Sequence, residues 1–168
     1  MNESNINHRI YARHSGVPHC DRLSIPLIKW CIRKTLNMEG VDSACEVSVL
    51  ITDDRGICEI NNKYRGIDKP TDVLSFPLQE FSVAGWAVHG FKSVDPETGN
   101  VPLGDIIMSA QRVVNQAREH MQTRERETAY LTVHSVLHLL GYDHIDEAED
   151  KNLMREREKE IIQELDNN

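Results

Sequence analysis

Thr132-Val-His134-Ser-Val-Leu-His138-Leu-Leu-Gly141-Tyr-Asp-His144 is the stretch that decides how this chain folds. Four residues of α-helix turn through about 400°, so His134 and His138 leave the same face one turn apart. Gly141 is placed to take the left-handed conformation that ends a helix and turns the chain. That turn is expected to bring His144 beside the other two. Around the histidines, Ala129 to Leu140 is apolar on nearly every side. This helix therefore belongs in the centre of a core, and buried imidazoles there need partners. Three imidazoles and one open position make the usual catalytic zinc site, in which a bound water supplies the nucleophile.

Working outward, Thr123 to Leu140 reads as the histidine-bearing helix, and Ile145 to Leu165 as a charged terminal helix. The terminal helix carries a sparse apolar stripe of Leu153, Met154, Ile161, Ile162 and Leu165, its acids forming a solvated face. Upstream, Leu103 to Met108 is a strand, and Ser109 caps a helix with Val113, Val114, Ala117 and Met121 at helical spacing. Thr71 to Phe76, between two prolines, and Glu46 to Thr52 are further strands, and Ile6 to Ala12 is a weak edge strand. Asp53 to Gly56 turns into a short helix with Ile57, Ile60 and Tyr64 on one face. Ser24, Pro26 and Gly40 bracket another helix, striped by Ile28, Cys31, Ile32, Thr35 and Leu36. Glu80 to Pro102, with Phe81, Trp86 and Phe91, is long enough to be a flexible insertion, and its aromatics suit stacking or docking.

The 168 residues fit one domain, and no apolar run approaches the length of a membrane span. The first residues lack a charged region followed by an apolar stretch, so no secretory signal is expected. Cys20, Cys31, Cys45 and Cys58 form no Cys-x-x-Cys pair, which fits reduced thiols in a cytosolic protein. Net charge is −8, which by itself argues against a polyanionic partner. The charge is uneven: residues 1–40 hold six bases and three acids, residues 121–168 six bases and twelve acids. A local basic surface is compatible with that imbalance.

Metzincin-type zinc proteases share the histidine spacing but carry Glu after the first His, as general base. Here that position is Ser135, whose hydroxyl cannot take a proton from water near neutral pH. A minimal metallopeptidase is thus disfavoured, and a non-catalytic protein with a structural zinc is the other alternative. Asp143 and Asp105 are candidates for orienting ligand imidazoles, although both suit a turn or structural role. His8, His14, His19, His89 and His120 lack ligand spacing and read as surface residues.

Three blocks together resemble the YbeY family of zinc-dependent endoribonucleases: Asn62-Lys-Tyr-Arg65-Gly-Ile-Asp68-Lys-Pro-Thr71-Asp-Val-Leu-Ser-Phe-Pro77, Leu103-Gly-Asp-Ile, and His134 through His144 into Ile145-Asp-Glu-Ala. The resemblance implies an α/β (α+β) single domain over residues 1–168. Its small mixed sheet, of about four strands, would pack with about five helices. The metal site would sit at the end of a central buried helix. It further implies one Zn2+ per chain held by His134, His138 and His144, with Arg65 as the functional arginine. The implied activity is single-strand-specific cleavage of RNA in 16S rRNA 3′-end maturation and ribosome quality control. Ribosomal particles or proteins would be partners, and the cytoplasm the location. Arg65 has forked donors and a permanent charge suited to a phosphate. A salt bridge from Arg65 to Asp68 or Asp72 is the structural alternative.

Overall fold

Alternating apolar residues make Cys45–Thr52 (β2) the centre of a sheet, burying Val47, Val49 and Ile51 while Ser48 stays exposed. The computed structural model describes residues 6–81, 93–142 and 148–166. Within them the sheet has the order β1-β2-β4-β3, with β1 Arg9–His14, β3 Val73–Pro77 and β4 Val101–Ser109. β1, β2 and β4 run parallel, and β3 pairs antiparallel on the β4 edge. Five helices complete the described fold: α1 Ile25–Met38, α2 Asp54–Arg65, α3 Ala110–Glu119, α4 Arg124–Leu139 and α5 Ala148–Asp166. The expected mixed four-stranded α+β architecture is what the chain forms.

The caps follow the side-chain chemistry. The Ser24 hydroxyl accepts from Leu27 N–H at 3.3 Å, Asp53 from Gly56 at 2.7 Å, Ser109 from Arg112 at 3.2 Å and Thr123 from Arg126 at 3.1 Å. α2 starts at Asp54, so Gly56 lies inside its first turn rather than in a preceding loop. α3 stops at Glu119. Met121 is therefore no part of its apolar stripe: it has φ +53° and is 93% exposed.

One sheet face carries Val49, Ile51, Ile106 and Met108, which join Ile28, Ile32 and Leu36 of α1 and Val133, Val136 and Leu137 of α4 in the main core. The opposite face is covered only in part, by α2. There Ile57 meets Leu74 and Ile107, with Ile60, Leu50 and Phe76 around them. α4 is buried almost all round, as its composition requires. α5 closes the far side through Met154, Ile161 and Ile162, whereas Leu153 of the expected stripe is 43% exposed. Of the Glu80 to Pro102 segment, residues 82–92 with Trp86, His89 and Phe91 lie outside the described residues. Its described end is a formed turn, in which Asp95 accepts from Glu97 and Thr98 N–H and Gly99 N–H reaches Asp95 O at 2.8 Å.

His8 is not the surface residue that its spacing suggests. It is 2% exposed, and its Nδ1 accepts from the backbone N–H of Cys45 at 3.2 Å. Burial, and secondarily Arg33, lower its pKa. The fold thus keeps the ring neutral while the unfolded chain takes up a proton below the ordinary pKa of about 6.5. This contribution to stability is complete above that pH and is lost as pH falls towards the folded-state value. His8→Asn keeps an acceptor near Nδ1 and should flatten the decline. Urea midpoints at pH 7.5 and 5.5 check this, and an equal acid loss in both proteins would refute it.

Candidate active site

Gly141 takes φ +86°, and its N–H and that of Tyr142 close back on His138 O and Leu137 O at 3.0 and 3.1 Å. A Cβ there would lie 2.7 Å from Cβ of Phe81, so the glycine allows both the turn and the approach of Phe81. One turn before this cap, His134 and His138 lie edge to face with ring centroids 4.6 Å apart. Both line a cleft of about 800 Å³ together with Val73, Ser75 and Pro77 of β3. Arg65 stands on its wall as the last residue of α2, where Gly66 caps the helix at φ +68°. Asn61 holds the following loop through Lys69 O at 2.8 Å.

Among the described residues Arg65 makes no ion pair. Asp72 instead binds Val73 N–H and Gln116, and Asp68 receives the Cys58 thiol. The salt-bridge alternative for Arg65 is therefore not what forms. Ser135 is fully buried and donates to Leu131 O at 2.8 Å, so its hydroxyl is committed to its own helix. Asp105 keeps the structural alternative: strand alternation turns it to the other sheet face, into a different groove from the histidines. His144 and Asp143 lie outside the described residues. Among the described residues no group of three or more His, Cys, Asp or Glu is placed to hold a metal.

Glu158 of α5 is the His134 partner that the sequence reading missed. It is 6% exposed, and its Oε1 lies 2.6 Å from Nδ1 of His134. A carboxylate accepts there, so Nδ1 carries the proton and the lone pair sits on Nε2. The far oxygen of Glu158 takes the Tyr130 hydroxyl at 3.5 Å, and burial, then Glu158, raise the pKa of that phenol. An imidazole held in one tautomer by a buried carboxylate is the usual support of a metal ligand. Glu158 sits four residues after Met154 and three before Ile161, in phase with the buried stripe of α5. That phase was the available signal.

A second buried network sets where the chain leaves α4. Glu39 accepts from the Tyr142 hydroxyl at 2.7 Å and from Arg157 at 2.7 and 2.9 Å, and Arg157 also reaches Met38 O. Burial first, then the Glu39 bond, raise the Tyr142 pKa, so the phenol stays a donor. The two glutamates thus pin both sides of the turn at Gly141.

A family model described as Endoribonuclease YbeY matches residues 19–166. The chain belongs to the YbeY endoribonuclease family. Its YbeY relatives include a Clostridium botulinum (strain Eklund 17B) protein named Endoribonuclease YbeY, 44% identical over 80% of this chain and 84% of that protein. One of the same name from Caldicellulosiruptor saccharolyticus is 47% identical, over 82% and 84%. The solution structure of TM1509 from Thermotoga maritima superposes with a TM-score of 0.58 at 29% identity, covering 92% of this chain and 87% of that one. Membership in the YbeY family places the chain among enzymes that hydrolyse RNA phosphodiester bonds. No helix among the described residues is long and apolar enough to cross a membrane.

Proposed function

We propose that this chain is a zinc-dependent, single-strand-specific endoribonuclease acting in 16S rRNA 3′-end maturation and ribosome quality control, in the cytoplasm and with ribosomal partners. The observation that carries the nuclease reading is that Arg65 and the His134–His138 pair line one cleft. The name carried by the relatives and the motif resemblance support RNA as substrate. The ribosomal target rests on the resemblance. The donor set fits a divalent metal: two imidazoles one turn apart, one of them oriented by a buried carboxylate, with His144 the third ligand of the proposal. When bound, such an ion supplies Lewis acidity towards phosphoryl and water oxygens.

The rest falls to the protein. Arg65 is placed to hold a non-bridging phosphate oxygen and to offset the charge that grows on it as water attacks phosphorus. Glu158 keeps His134 in one tautomer through the reaction. Glu80 also lines the cleft. Ser135 plays no such part, which removes the proton shuttle a peptidase would need. The test incubates labelled single-stranded RNA of the 16S 3′ region with wild type, Arg65→Ala and His138→Ala. Cleavage by wild type alone is expected, and equal cleavage by all three would defeat the proposal.

Glu158→Gln gives a readout apart from activity. Removing the carboxylate charge should weaken zinc binding by about 10–100-fold in a chelator competition, with little change in melting of the metal-free protein. Unchanged zinc affinity would remove Glu158 from the site.

A further inference from the structure

We propose that the open half of the sheet's outer face is a docking platform for single-stranded RNA, leading over β3 into the histidine cleft. The proposal rests on the nuclease reading and adds the place where the uncleaved strand lies. α2 packs over β2, β4 and β3 on that face and leaves the β1 side open, and beside it runs a groove of about 890 Å³. Sheet register places Tyr11, Ser48, Asp105 and Phe76 in one row across all four strands. Tyr11 and Phe76 end that row three strand spacings apart, about 14 Å. Tyr64 packs on Phe76 with centroids 5.3 Å apart and remains 62% exposed, while Tyr11 is 55% exposed.

The charge of the groove is opposite to that of the chain. Arg13, Lys29 and Lys63 line it against the single carboxylate of Asp105, in a protein of net charge −8. Lys63 Nζ sits 5.1 Å from the Tyr64 ring centre, so cation and π-face are presented together. Exposed aromatics interleaved with cations on a four-stranded sheet suit splayed bases and their phosphates. A protein partner would call for a broader apolar surface than these tyrosines offer.

The groove and the cleft are neighbours by construction. Tyr64 and Arg65 are consecutive, yet the first lines the groove and the second the cleft. Along β3, Phe76 faces the groove while Ser75 and Pro77 face the cleft. β3 is an edge strand of the described sheet, so a nucleic-acid strand passing over it meets both sites in turn.

The test measures binding of a labelled, unstructured 12-nucleotide RNA to full-length His138→Ala protein, so that cleavage does not intrude. Adding Tyr11→Ala and Tyr64→Ala should raise Kd roughly tenfold for each ring removed, whereas Tyr11→Phe and Tyr64→Phe should retain affinity. Adding Arg13→Gln and Lys63→Gln should lower the salt-dependence slope by about 1.4. Unchanged Kd and slope in these variants would overturn the platform. So would RNA binding that stays intact while association with a protein partner is lost. Cleavage by wild type against His138→Ala tests the nuclease reading separately, and failure there leaves the binding result legible.

Discussion

His138→Ala is expected to lower RNA cleavage by about 10³-fold or more while leaving a folded protein. Losing the Lewis acid forfeits several kcal/mol of transition-state stabilisation, and each 1.4 kcal/mol is about tenfold in rate. Folding should survive because His138 faces the cleft and the core of α4 lies in Val133, Val136 and Leu137. A thermal readout separates the two effects. Zinc binding to the native state alone should raise wild-type Tm by mass action, and the variant should lose that rise. Arg65→Ala should behave differently, with cleavage reduced but the zinc-dependent rise in Tm intact. Zinc protection of His138→Ala equal to that of wild type would remove this histidine from the ligand set.

Gly104→Ala should be the most damaging small substitution for stability, at about 3–5 kcal/mol. Gly104 has φ +145°, and a Cβ there would stand 2.2 Å from the Phe76 carbonyl oxygen and 2.9 Å from Leu139. Backbone strain and overpacking each cost about 1–3 kcal/mol, and neither the β3 backbone nor the α4 core can easily yield. Gly99→Ala is the control: φ is +71° with nothing within 4 Å, so only the conformational part, about 1 kcal/mol, applies. Urea midpoints compare the two. Equal losses would mean that β3 and α4 have room to part at this point.

Much of this site was legible because it depends on local periodicity. The one-turn spacing of His134 and His138, the Gly141 stop and the alternation of β2 each follow from backbone geometry within a few residues. Asp105 was also readable in principle. Ile106 points to the core, so its neighbour must point away. Glu158 was hidden by company, standing among Glu156, Glu160 and several other acids that do sit in solvent. Only its helical phase set it apart. His8 gave no local signal, because it packs against the start of β2 at Cys45, 37 residues away. Met121 failed for the opposite reason: its spacing was helical, but the helix had already ended.

The order of strands in the sheet also bears on when the cleft is completed. β2 must wait for β4, more than fifty residues later, before its second edge is paired, and His134 must wait for α5 to deliver Glu158. Such non-local pairings fold slowly compared with helical hairpins. During synthesis, a chain lacking its last helix would hold both α4 histidines but neither Glu158 nor Arg157. His134 thus gains its buried carboxylate only when the final helix docks, so the histidine cleft is the last part of the fold to be completed.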